Sequence, residues 1–134
     1  MLVREARLFM TEAKPVVMVV HDDAALRDAL QFALRLEGSE VRAHETAGAL
    51  LEDQRLADCI CLVLKYHLPD IDGLALLGRV RAMGFDMPAI LLTSSASPAL
   101  RARAKAAGVW LVLEKPIMDA KLVDAVATLL REIT

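Results

Sequence analysis

The sequence predicts an α/β fold: a doubly wound, five-stranded parallel sheet in the order 2-1-3-4-5, a (βα)5 arrangement. Three observations predict it. Short apolar runs recur along the chain, and between them lie segments whose apolar residues return every three or four positions. Most of the runs lack any polar residue, as strands covered on both faces do. Strands that alternate with helices in this way join as parallel crossovers.

The elements follow in order. Val16-Val17-Met18-Val19-Val20 is a β-branched run and the first strand. Ala24 to Leu36 carries Leu26, Ala29, Leu30, Ala33 and Leu34 on one helical stripe, and Gly38 stops it. Glu40 to His44 is a short second strand, and Thr46 is placed to cap a helix running to about Arg55. Cys59 to Leu64 is the third strand. Pro69-Asp70-Ile71-Asp72-Gly73 is a turn cluster before a helix from Leu74 to Met83, which Gly84 ends. Ala89 to Thr93 is the fourth strand. Ser97-Pro98 supplies a cap and a first-turn proline for a helix to Ala107, ended by Gly108. Val109 to Leu113 is the fifth strand, and Leu122, Val123, Val126, Leu129, Leu130 and Ile133 share one face of a last helix.

Composition excludes several classes. The 134 residues suffice for one core and not two. With 56% hydrophobic and 25% charged residues, the chain is not a disordered one. A formal net charge of −2 gives no reason to expect a nucleic-acid surface. No apolar run approaches the ~20 residues of a membrane span. The first residues, with Arg4, Glu5, Arg7, Glu12 and Lys14, have no signal-peptide character, so a cytoplasmic setting is expected. Cys59 and Cys61, two apart in a strand, are expected on one face as small buried hydrophobes, with no second cluster to complete a zinc site.

Ligands of such sheets bind beyond the carboxyl ends of the strands, at the switch between the first and third. The residues there are polar: His21-Asp22-Asp23, Lys65-Tyr66-His67, Thr93-Ser94-Ser95 and Glu114-Lys115-Pro116. Four polar ends at one crevice point to a real or ancestral site.

From about Pro15 to Arg131 the chain resembles the CheY-like receiver domain of bacterial two-component response regulators. Receivers look like a first strand closed by an acidic pair and a third strand closed by a phosphorylated Asp. Pro and Gly follow that Asp at +4 and +8, a Thr or Ser lies 28 beyond it, and a Lys-Pro 22 further on. Here Pro69 and Gly73 lie four and eight after Lys65, Thr93 lies 28 after it, and Lys115-Pro116 begins 22 after Thr93. Gly108 also fits, 15 after Thr93. The departures are equally specific. Lys65 stands in the phosphoacceptor slot, His21 in the first slot of the acidic pair, and Val112 where an aromatic ring is usual.

The resemblance implies an atypical receiver, a pseudo-receiver. Aspartyl phosphorylation needs a carboxylate nucleophile and a Mg²⁺ held by near-octahedral oxygens. The degenerate site comprises Lys65, His21, Asp22, Thr93 and Lys115, and Asp22 is the only remaining metal-ligand candidate. Lys65 is therefore read as a built-in cation paired with Asp22.

The function expected is a stand-alone, phosphorylation-independent interaction module in signal transduction, with neither enzymatic activity nor cofactor. Its partner would be a sensor histidine kinase, a phosphotransfer protein or another regulator. The alternatives are phosphorylation at a non-standard Asp (Asp22, Asp23 or Asp70) and a small-ligand binder in the vacated crevice. Residues 1–14 are expected to be an N-terminal extension, either disordered or packed on a partner through Leu2, Val3, Leu8 and Phe9. Residues 15–134 are expected to form the receiver-like domain, with no output domain.

Five further expectations concern particular side chains. Asp70 and Asp72 shape the turn and cap the helix after Gly73. His21 and His67 are either hydrogen-bonded, the more common case, or able to titrate near neutral pH, and His44 is a satisfied surface histidine. Arg101, Arg103 and Lys105 make a basic face. Leu122, Val126, Leu129 and Ile133 make an apolar stripe, part of which must serve the core, and the chain would form a homodimer or hetero-complex through this last helix or the face beside it.

Overall fold

The computed structural model describes residues 14–115 and 119–133. Five strands form one parallel sheet: β1 (Val16–Val20), β2 (Glu40–His44), β3 (Cys59–Lys65), β4 (Ala89–Thr93) and β5 (Val109–Glu114). Their order is β2-β1-β3-β4-β5, as expected. The helices are α1 (Ala24–Leu36), α2 (Ala47–Leu51), α3 (Gly73–Ala82), α4 (Pro98–Ala106) and α5 (Asp119–Ile133). None of the described helices is long and apolar enough to cross a membrane.

Alternate side chains of each central strand point to opposite faces, and each face builds its own core. Val16, Met18, Val20, Leu62, Leu64 and Leu91 pack with Leu50, Leu76, Leu77, Val80 and Leu100, from α2, α3 and α4. On the other face Val17, Val19, Val63, Ile90 and Leu92 meet Leu30 and Leu34 of α1 and Leu122, Val126 and Leu129 of α5. The stripe expected to serve a homodimer or hetero-complex, part of which had to serve the core, is largely taken up by the chain's own core. Leu122, Val126 and Leu129 are 1%, 1% and 3% exposed, and the Ile133 side chain lies outside the described residues.

Local chemistry starts and stops the helices. Asp23, Thr46, Asp72 and Ser97 each accept a backbone N–H of the first turn, from Leu26, Ala49, Ala75 and Leu100. Gly38, Gly84 and Gly108 take φ of 94°, 93° and 84° just past the ends of α1, α3 and α4, a conformation that costs glycine little.

Two elements depart from expectation. α2 ends at Leu51 rather than near Arg55, and a 3₁₀ turn covers Leu56–Asp58. Asp53 is the reason: its carboxylate turns inward to accept from Arg42 Nε and the Arg55 N–H, each at 2.8 Å. Cys59 and Cys61 lie on opposite faces, not one. Val16 pairs with Cys59 but Val17 with Cys61, so Ile60 is an extra residue that reverses the alternation. Cys59 faces the α2–α4 side and Cys61 the α1–α5 side. Both are buried free thiols; burial pushes Cys59 up to about 12 and Cys61 up as well.

Candidate functional site

β1 and β3 are neighbours, with Val20 opposite Leu64, so the residues that follow them close one crevice. Lys65 Nζ donates to Asp22 Oδ1 at 2.7 Å. The pair is half-open to water, with side-chain exposures of 21% for Lys65 and 37% for Asp22. The Lys65 hydrogen bond holds the Asp22 carboxyl below the usual carboxylate range.

His21 is buried beside this pair, 1% exposed. Its Nδ1 accepts the Asp23 N–H at 3.0 Å, which assigns the ring proton to Nε2. Nε2 has no hydrogen-bond partner among the described residues. Burial, with the positive charges of Lys115 and Lys65, pushes its pKa down to about 4. His21 is thus neutral at neutral pH, in keeping with the reading of it as a hydrogen-bonded histidine rather than one that titrates there: desolvation disfavours the imidazolium more than Asp22 and Asp23 favour it. Its carbonyl accepts from Arg27 Nη1 at 2.7 Å, a contact that ties α1 to the crevice.

The remaining strand ends are also fixed. Thr93, 3% exposed, closes a local turn by exchanging hydrogen bonds with Ser95. The Lys115 N–H donates to the Thr93 carbonyl at 2.8 Å, so β5 delivers Lys115 beside β4. The Lys115 ammonium makes no ion pair among the described residues. Glu114, just before it, accepts the Ala96 N–H at 2.7 Å. Val112, in the aromatic slot, is half-buried against the α2–α4 core. Pro116 lies outside the described residues, as do Leu2, Val3, Leu8 and Phe9.

The loop after β3 folds back tightly on the strand end. The Gly73 N–H donates to the Tyr66 carbonyl at 2.7 Å, and a Cβ on Gly73 would stand 2.6 Å from the Lys65 carbonyl oxygen. Only glycine allows that approach without a backbone shift. Asp72 caps α3 as expected. Asp70 does not: its Oδ1 accepts from Ala47 and Ile71, and its Oδ2 from Gly48, so it tethers the start of α2. The amides of Gly48 and Ala47 lower its pKa. Tyr66 and His67 meet edge to face at 4.7 Å, and Arg103 of the basic face donates to the Tyr66 hydroxyl at 3.3 Å.

Sequence reasoning missed one buried ionic cluster. Asp53, with a side chain 1% exposed, takes Arg42 Nε and His44 Nε2, each at 2.8 Å. Burial would raise its pKa, but the hydrogen bonds from Arg42, the Arg55 N–H and His44 outweigh it and hold it at about 2. The signal was the i, i+2 spacing of Arg42 and His44 on one face of β2. It stayed hidden because Asp53 was read as part of a continuing helix.

These donors do not fit a Mg²⁺ ion, which needs several hard oxygens in near-octahedral array. Asp22 Oδ1 is held by Lys65, Asp23 caps α1, and His21 turns its only acceptor nitrogen to the Asp23 N–H. No three His, Cys, Asp or Glu side chains gather as a metal site among the described residues.

Known proteins share this fold. Residues 17–127 match the family described as "Response regulator receiver domain". The chain is 37% identical over 117 residues to the transcriptional regulatory protein FixJ of Azorhizobium caulinodans, covering 87% of this chain and 55% of that protein. It is 34% identical to the C4-dicarboxylate transport transcriptional regulatory protein DctR of Rhodobacter capsulatus, covering 81% and 56%. It therefore spans about half the length of these relatives. Among solved structures, a CheY-like response regulator receiver domain from Methanospirillum hungatei superposes with a TM-score of 0.80 at 26% identity, covering 90% of this chain and 96% of that one. Response regulator StyR gives 0.79 at 34% identity, covering 89% and 60%.

Proposed function

The chain belongs to the response regulator receiver domain family, and from that premise we propose that it acts in two-component signalling as an interaction module that needs no phosphorylation. One observation carries the proposal: an ammonium, not a carboxylate, closes β3, and it is bonded to Asp22 at 2.7 Å. Phosphoryl transfer to a receiver requires a carboxylate nucleophile and a cation to neutralise the incoming phosphate. Lys65 supplies positive charge without a nucleophilic oxygen. At neutral pH a lysine ammonium has no free electron pair with which to attack.

The substitute acceptors are poorly placed. Asp23 is the cap of α1, Asp22 is paired, and both oxygens of Asp70 are engaged by amides. On this reading the crevice is held in one state, and recognition runs through the surface around it. The partner is a sensor histidine kinase, a phosphotransfer protein or another regulator. Intact mass after incubation with acetyl phosphate and Mg²⁺ tests the proposal. No mass gain is expected; a phosphate mapped to Asp22, Asp23 or Asp70 would overturn it.

A second reading rests on the Lys115 ammonium and the His21 Nε2–H, neither of which has a partner among the described residues, two donors that suit a small acidic ligand. A thermal-shift series with anionic metabolites tests it, because a ligand that binds only the native state raises Tm. A flat series removes that reading and leaves the first intact.

A further inference from the structure

Helix α1 carries two apolar faces. Leu30 and Leu34, each 1% exposed, turn to the sheet and belong to the core. On the far side of the helix Ala25, Ala29, Phe32 and Leu36 are all exposed, the two large ones at 68% and 73%. Their steps of four, three and four residues set them on one line along the helix. Asp28 and Arg35, seven apart, flank that line on the same side. Neither makes an ion pair among the described residues. Arg35 spends one donor on a long hydrogen bond, Nη2 to the Val41 carbonyl at 3.4 Å. The stripe is therefore an apolar seam with two free charges along one edge.

We propose that this face of α1 is a contact between two copies of the chain, packed as antiparallel helices across a two-fold axis. The pattern complements itself in that orientation. When two antiparallel helices bring these stripes together, Phe32 of one copy falls on Ala29 of the second, and Leu36 on Ala25; the two-fold axis repeats both contacts in reverse. Each large side chain then meets a small one, as interlocking packing requires. The same register sets the charged edge of one helix against the charged edge of the other, so Asp28 faces Arg35 and Arg35 faces Asp28. Parallel helices would set that edge against the opposite one, where Leu26 and Ala33 stand without charge. The two charges also cancel, so the face has no net charge with which to steer an acidic or basic partner. A contact between two 13-residue helices is small, and the dimer exchanges with monomer. The inference is independent of whether the crevice is phosphorylated.

Sedimentation equilibrium of the full chain, from micromolar to millimolar concentration and without a phosphodonor, tests it. The expected result is an average mass that rises with concentration toward that of a dimer. Phe32→Glu should hold the chain monomeric throughout. Charge reversal reads the orientation. Asp28→Arg alone and Arg35→Asp alone each turn two attractive pairs into two repulsive ones, and each should weaken self-association about tenfold. An equal mixture of those two variants should associate as well as the parent, because two positive charges on one copy then meet two negative charges on the other. All three substitutions lie on the exposed side of α1, and unchanged urea midpoints confirm that the variants fold. A parent that stays monomeric at millimolar concentration overturns the proposal and leaves the face to a different protein. A dimer that Phe32→Glu leaves intact, or a mixture no tighter than its separate components, overturns it as well.

Discussion

A lysine at the end of a strand usually extends into water, and the energy of the Lys65–Asp22 pair depends on how much water it keeps. With Asp22 37% exposed and Lys65 21% exposed, the pair behaves closer to a surface salt bridge than a buried one. Lys65→Ala should therefore cost less than about 1 kcal/mol in urea denaturation. A loss of about 3 kcal/mol or more would instead mean that Asp22 is desolvated when unpaired. Lys65→Asp alone should not take up phosphate, because His21 remains in the neighbouring slot; mass after acetyl phosphate treatment checks this, with His21→Asp/Lys65→Asp as the comparison. The pair was legible in the sequence because adjacent parallel strands bring their closing residues together. The state of His21 was not. Its burial comes from tertiary packing around the residue after β1, and its proton position from the Asp23 amide.

At the scale of elements, boundaries set by local chemistry could be read directly. Asp23, Thr46, Asp72 and Ser97 are caps because a short oxygen-bearing side chain satisfies a first-turn amide wherever the helix lies. What escaped reading depends on residues distant in sequence. The parity of Cys59 and Cys61 is set by pairing with β1, where Ile60 bulges, and the end of α2 is set by the pull of Arg42 and His44 on Asp53. Gly73 belongs to both kinds: its spacing from Lys65 was visible, but its reason is contact with the Lys65 carbonyl. Gly73→Ala should cost about 1–3 kcal/mol through this overpacking, and the strain falls on the backbone that carries Lys65. The expected spectroscopic sign is a shift of the Lys65 and Tyr66 amides together with the drop in stability. A variant as stable as the parent, with unmoved amides, would show that the loop relaxes freely.

For the molecule as a whole, alternation of strand and helix was enough to give the sheet order, because each central strand is covered on both faces and each helix has one stripe to bury. The same burial places two ionisable groups, His21 and Asp53, where folding changes their proton affinity, and this sets the response to acid. His21 has a pKa of about 4 in the native state against 6.5 when unfolded. As pH falls from 6.5 toward 4 the unfolded chain takes a proton that the native chain refuses, and stability declines. The ceiling on that loss is about 3 kcal/mol. Asp53 is held at about 2 against 3.8 unfolded. Its contribution is present above the unfolded value and is lost as pH falls from 3.8 toward 2, about 2 kcal/mol more. Acid should therefore weaken the fold in two successive stages, beginning below neutrality rather than at carboxylate pH. His21→Asn keeps an acceptor for the Asp23 amide while removing the titration, so it should flatten the upper stage alone; Asp53→Asn should shrink the lower stage alone, leaving what Asp22 and Asp70 contribute to it. Urea midpoints measured across this range on the parent and the two variants decide the matter. An upper stage that survives His21→Asn would mean that the proton is taken up elsewhere.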